Sequence, residues 1–190
     1  MTRETVKTRQ KVYFSESDID YDDLTEICSQ KTLQEDYSLA DSVSNNVVIY
    51  DANHLKSFIV NELKERILKT ELHQVLENGP GVFVVRNLYE GEVIDQSNTI
   101  FEKIVEREID TSNDHFASGT NIRIWNSFQK VALENADAFI NYYSNDILKL
   151  VAESWCGPNS QMTAQVNIVR PGGEMQKPHR DYHLGFQENK

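Results

Sequence analysis

Apolar positions recur with a helical period in three stretches of the chain. Between residues 55 and 77, Leu55, Phe58, Ile59, Leu63, Ile67, Leu72, Val75 and Leu76 share one broad stripe, with a slip that places a break near Thr70. Asn78-Gly79-Pro80 stops it, because proline cannot continue the hydrogen-bond ladder. Residues 91 to 109 repeat the pattern, with Val93, Ile94, Ile100, Phe101, Ile104 and Val105 facing inward. A third helix is predicted over 138 to 155, packed through Phe139, Ile140, Tyr143, Ile147, Leu150, Val151 and Trp155. Asp137 or an earlier Asn caps its start, and Gly157-Pro158 ends it.

Shorter apolar runs predict strands at VVIYD, residues 47 to 51, and at GVFVVRNL, residues 81 to 88. In NIRIWNSFQKVAL, Ile122 and Ile124 alternate with Arg123 and Trp125, the pattern of a strand or extended loop near the core. In QMTAQVNIVR, Met162, Ala164, Val166 and Ile168 share one face, and Thr163, Gln165 and Asn167 the other. That second face is uncharged and amide-rich, which suits a strand whose polar side lines a cavity. RPGGE then makes a turn, and KPHRDYHLGF begins another extended segment. Residues 1 to 45 are polar and lack a sustained period, so they read as a loosely packed, partly disordered arm with a short helix near 21 to 30.

Composition narrows the function. The 190 residues, 39% of them hydrophobic, suffice for one sizeable core or one domain with an appended subdomain. No stretch is long and apolar enough to cross a membrane, and MTRETVKTRQKVYF lacks the apolar run of a signal peptide, so the expected location is cytoplasmic. A net charge of -11 repels phosphate backbones and argues against nucleic-acid binding, although Lys177 and Arg180 form a local basic patch that an anion can meet. Cys28 and Cys156 have neither metal-ligand spacing nor a disulfide framework, and Cys156 is expected as a buried thiol.

One pair of residues suggests chemistry. His179 and Asp181 are two apart, so on a strand both side chains project from the same face. An imidazole and a carboxylate supply two thirds of the triad that holds Fe(II) in non-haem oxygenases, while the same spacing is also met in ordinary surface residues. Pro178 disfavours a helix here, and Gly172 and Gly173 permit the reversal before it. His183 lies on the same face, but three ligands at i, i+2 and i+4 would span roughly 13 Å of strand, so it is expected to line a cavity or pack. His54, His73 and His115 are expected to be structural or solvated, and Arg123 to be a surface or ion-pairing residue.

From Asn121 to Gln187 the chain resembles the bacterial branch of the phytanoyl-CoA dioxygenase family, most specifically in QVNIVRPGGEMQKPHRDYHLGF. Members are Fe(II)- and 2-oxoglutarate-dependent oxygenases built on a double-stranded β-helix. The resemblance implies an α+β fold in which N-terminal helices pack on an incomplete jelly-roll, cupin-like core. Residues 1–45 would be the arm, and 46–190 the helical region with the first core strands. It implies His179 and Asp181 as metal ligands and catalytic residues. Gln165 and Asn167, and after them Thr163 on the same face, would meet 2-oxoglutarate or a small-molecule substrate awaiting hydroxylation. The family pattern also has a second ligand histidine and an arginine far downstream, whereas this chain ends at Lys190, nine residues after Asp181. The expectation is therefore a fragment, inactive alone, whose exposed sheet edges dimerise or take up a missing half. Two alternatives stand beside it: a non-catalytic structural or interaction domain, and a cupin-like metal domain of other chemistry.

Overall fold

The structure, a computed structural model, describes residues 20–108, 121–173 and 175. They belong to two compact units, one of residues 31–174 and one of residues 1–30 with 175–190. In the smaller unit the described structure is α1 (Tyr21–Ser29) and Met175. Asp20 caps α1 by accepting from the Asp22 N–H at 2.8 Å, and no residue of the helix is buried.

The larger unit opens with a hairpin, β1 (Ser42–Ser44) and β2 (Val47–Asp51), paired antiparallel. Its two-residue turn, Asn45-Asn46, has φ of 52° and 63°, the left-handed pair that matches the twist of the strands and that Asn tolerates. β2 leads through α2 (Ala52–Lys56) and α3 (Glu62–Glu77) to β3 (Phe83–Arg86), which pairs with β2 in parallel. The stripe predicted as one helix over 55–77 thus divides early, before Asn61 and not at Thr70. The Asn61 side chain accepts from the Lys64 N–H at 3.0 Å and starts a new helix there. At the far end of α3, a Cβ at Gly79 would run into the Tyr37 hydroxyl and the Val75 carbonyl, so only glycine fits that close passage.

α4 (Gly91–Glu108) follows the predicted span closely, and β4 (Asn121–Ile124) comes next in the described chain. The remaining helices are α5 (Ser127–Glu134), α6 (Ala136–Tyr143) and α7 (Asp146–Cys156), before β5 (Val166–Val169) pairs antiparallel with β4. The single helix expected over 138–155 is two. Asn135 accepts from Ala138 N–H at 2.9 Å to open α6, and Asn145 accepts from Ile147 and Leu148 to open α7. Gly157, with φ 82°, ends α7 where the Gly-Pro signal falls.

Two cores result. The first joins Val48 and Tyr50 of β2, Leu68, Leu72 and Val75 of α3, and Ile147 and Leu150 of α7. The second joins Ile100, Phe101, Ile104 and Val105 of α4 to Ile124, Val131 and Ala138, with Val166 and Ile168 packed on it. Inside the first core, Glu71 is 7% exposed. Its carboxylate accepts from the Leu39 N–H (3.0 Å), the Ser38 hydroxyl (3.2 Å) and the Tyr50 hydroxyl (2.9 Å). Burial and the adjacent Glu71 push the Tyr50 phenol far upward, so it stays a donor. α3 and α7 are further tied by Lys69, which meets Glu65 at 2.7 Å and Glu153.

These sheets correct the expected fold. Among the described residues one sheet has three strands, in the order β1-β2-β3, and the other has two. Both are small and open, and neither closes or curls into a barrel. The α+β character holds, but the incomplete jelly-roll core, with the membership in the phytanoyl-CoA dioxygenase family that required it, does not.

Glu71→Ala leaves the Leu39 N–H and the Tyr50 hydroxyl buried without their acceptor, and is expected to cost about 3 kcal/mol; Tyr50→Phe removes one bond and costs about 1 kcal/mol. Urea unfolding checks both, and a Glu71→Ala variant as stable as the parent would refute the anchoring role.

The Lys69–Glu153 contact predicts a pH dependence. The hydrogen bond from Lys69 lowers the Glu153 pKa, so its contribution is complete above the ordinary carboxylate range and is lost as pH falls through the depressed value. Glu153 in turn raises Lys69, whose contribution is complete below the ordinary lysine value and is lost as pH rises through the raised one. Melting curves of parent and Glu153→Gln should therefore converge in acid, and a gap constant across the carboxylate range would contradict the pairing.

Candidate functional site

β4 and β5 form a two-stranded sheet, and β4 is the one strand hydrogen-bonded to β5 among the described residues. A groove of about 670 Å³ lies against β5. Five consecutive residues, Val166 to Arg170, line it. Neighbours on a strand point to opposite faces, so a depression touched by all five runs along the strand's edge and not over one face. An edge of this kind presents main-chain N–H and C=O groups at every second residue.

The opposite wall is α4, through Asn98, Phe101, Glu102 and Val105. Their spacing of i, i+3, i+4 and i+7 is one helical face, half of it the rim of the second core and half polar. Phe101 and Val105 are each 5% exposed, whereas Asn98 and Glu102 are exposed. Tyr142 of α6 closes the groove, packed edge-on against Phe101 and stacked on Tyr89 at 5.1 Å. The Tyr89 hydroxyl donates to the Tyr142 carbonyl at 2.7 Å, and burial pushes its pKa up to about 12. Tyr143 is raised as well, chiefly by burial, and donates to the Ser127 hydroxyl at 3.1 Å. These half-buried phenols stay protonated and tie α5, α6 and the 88–89 turn together.

Chemically the groove offers two amides (Asn98 and Asn167), a carboxylate (Glu102), a guanidinium (Arg170) and an apolar floor. That is a set for binding and orienting a ligand.

The residues singled out from sequence have different fates. Asn167 lines the groove and pairs across the sheet with Arg123. Thr163 and Gln165 are exposed on the extended segment before β5 and do not line it, while Val166 and Ile168 pack against the second core as the alternation predicts. His179, Asp181 and His183 lie outside the described residues, as do Lys177, Arg180 and His115. The expected Fe(II) rests on His179 and Asp181, and the expected 2-oxoglutarate on Gln165, Asn167 and Thr163, of which Asn167 alone lines the groove. Among the described residues no group of three or more His, Cys, Asp and Glu is arranged to hold a metal ion.

His54 sits 3.5 Å from Asp41, and His73 shares a 2.9 Å hydrogen bond with the Ser154 carbonyl beside Trp155. Arg123 lies over the Trp125 ring at 5.2 Å. Cys156 is exposed at the end of α7, contrary to the buried thiol expected from its apolar surroundings. No helix among the described residues is long and apolar enough to cross a membrane.

The α4 wall, Tyr142 and Arg170 were not read as site residues. Their signal was present only in part: Asn98 and Glu102 flank Phe101 and Val105 on one helical face, but nothing local says that a strand edge lies opposite.

Comparison with protein families, curated proteins and solved structures finds no match to this chain. The dioxygenase assignment is corrected on the fold itself: the open sheets are not the double-stranded β-helix on which that chemistry is built.

The groove's wall divides into structural and usable positions. Phe101→Ala is expected to cost about 3–5 kcal/mol, because it empties a core position. Glu102→Ala and Asn98→Ala should stay within about 0.5 kcal/mol of the parent. Chemical denaturation of the three variants checks the division, and a strongly destabilised Glu102→Ala would show that the wall is not as separable as its burial implies.

Proposed function

We propose that this chain is a polypeptide-binding module whose working surface is the open edge of β5, and that it takes up an extended segment there by strand addition. One observation carries the reading: consecutive strand residues line a groove that faces a helix wall. An added strand satisfies the outward main-chain groups of β5, which gives affinity with little regard to sequence. Selectivity comes from the walls. An apolar side chain seats over Phe101, Val105 and Tyr142, and Glu102 with Asn98 and Asn167 receives Lys or Arg at a neighbouring position. Arg170, at the end of the groove, suits an acidic residue there.

The net charge of -11 favours a basic segment over a second copy of this chain, which carries the same charge. Assembly of copies through the same edge gives a different signature, a mass that rises with concentration.

Phage-displayed random peptides panned on the full chain test the reading. Enriched peptides are expected to alternate apolar residues with Lys or Arg. They should bind Val169→Lys and Glu102→Lys at least about tenfold more weakly, since the first blocks the edge and the second reverses the wall. Val169 is 57% exposed and Glu102 is exposed, so both variants should fold. Absence of enrichment, or peptides that bind both variants as well as the parent, would overturn it. So would concentration-dependent self-association abolished by Val169→Lys.

A further inference from the structure

Among the described residues α1 has no core to pack on. Tyr21, Leu24 and Ile27 are 77%, 54% and 62% exposed, and no residue of the helix is buried. At about 100° per residue, Tyr21, Leu24, Ile27 and Cys28 fall within an arc of about 120°. Asp22, Asp23 and Glu26 fall within about 100° on the other side. The division is complete, with Thr25 and Ser29 at one of the seams. No Lys, Arg or His occurs between Asp20 and Gln30.

A helix of nine residues is marginal in water, yet this one is locally reinforced. Asp20 caps it, and Asp22 and Asp23 sit in the first turn where the helix dipole favours negative charge. Local stabilisation of a helix whose apolar face stays in water is what recognition by a groove requires, because it lowers the ordering cost of binding.

We infer that α1 is a docking helix that lays Tyr21, Leu24 and Ile27 into an apolar groove of a partner protein rimmed by Lys and Arg. The occupant follows from charge. Asp20, Asp22, Asp23 and Glu26 flank the apolar arc with nothing basic among them, so a basic rim is the electrostatic complement. Anionic membranes and nucleic acids repel the same face. This inference is independent of the β5 groove and stands on a separate part of the chain.

The test places a photoreactive p-benzoylphenylalanine at Thr25, beside the apolar arc, in the full chain within the cells that make it. The cross-linked peptide is located by mass spectrometry, and the purified partner is titrated against full-length variants. The cross-linked surface should carry several Lys or Arg residues around an apolar groove. Leu24→Glu, Ile27→Glu and the double change Asp22→Lys, Asp23→Lys should each raise Kd at least about tenfold. Added salt should weaken binding, while Ser29→Ala should leave it unchanged. Since α1 buries nothing, thermal melting of these variants should match the parent. Cross-links confined to other copies of this chain, a partner surface without basic residues, no cross-link at all, or a Kd indifferent to Leu24→Glu would each overturn the proposal.

Discussion

A carboxylate inside an apolar core organises the larger unit. Glu71 has no cation beside it in its hydrogen-bond set; what compensates its burial is donation from a backbone N–H and two hydroxyls. Each donor comes from a different distance along the chain: Ser38 and Leu39 from the segment before the hairpin, Tyr50 from β2. The carboxylate therefore fixes the rotation of α3 about its own axis, since only one rotation brings Glu71 to all three. With that rotation set, Leu68, Leu72 and Val75 meet β2, and Lys69 is turned to Glu153 on α7. Apolar packing alone is non-directional and would tolerate slippage of such a helix. The polar cluster removes that freedom.

The consequence reaches the groove by way of α7. Ile147 and Leu150 seat α7 in the first core, so the chain leaves Cys156 from a defined place and returns along 157–165 to pair with β4. A two-stranded sheet is marginal by itself, and this one persists because Ile124, Val166 and Ile168 press on the second core. Among the described residues no strand other than β4 pairs with β5, and α4 shares the groove that β5 lines. Most proteins blunt such an edge with charge, a bulge or a covering element. Here Arg170 and Glu102 supply charge at the groove, but Val169 stays 57% exposed on the strand itself. That combination, partly guarded and partly apolar, is the reason to read the edge as a surface in use.

Much of this fold was legible as periodicity. The stripe of α4 and the turn chemistry at Asn78-Gly79-Pro80 and Gly157-Pro158 appear in the structure where the pattern puts them, whereas the alternation read over 162–168 holds only from Val166, Met162 being 46% exposed before the strand begins. The misses share one cause. Asn61 and Asn145 each offer a side-chain oxygen to a backbone N–H two or three residues on, and each opens a helix inside a stretch that the apolar period treats as continuous, whereas Asn135 caps α6 as the reading of an earlier Asn allowed. A cap acts through one hydrogen bond and leaves the hydrophobic count unchanged. α5 escaped for a related reason, since Ile122 and Ile124 extend their alternation into view while Asn126, with φ 52°, turns the chain abruptly into a helix. The barrel expectation failed at another level. Alternation reports that a residue run is extended with one face packed; it says nothing about how many strands join it or whether the sheet closes. The site shared that blindness, for Asn167 is visible in the alternation but the wall opposite it depends on where α4 lies.

The distribution of charge connects the two proposed surfaces. An apolar surface patch invites self-association, and a chain that exposes Val169 beside one groove and Leu24 and Ile27 on a helix has two such patches. The charge beside them differs: Glu102 and Arg170 both stand at the first, whereas Asp22, Asp23 and Glu26 alone run along the second. Copies of the same chain would meet with like charges along α1, which opposes pairing there, while a basic partner would gain the apolar area and the Coulomb attraction together. An excess of 30 acidic over 19 basic residues then has a role beyond solubility. On the proposed reading it would select between partners that apolar contact alone would not distinguish.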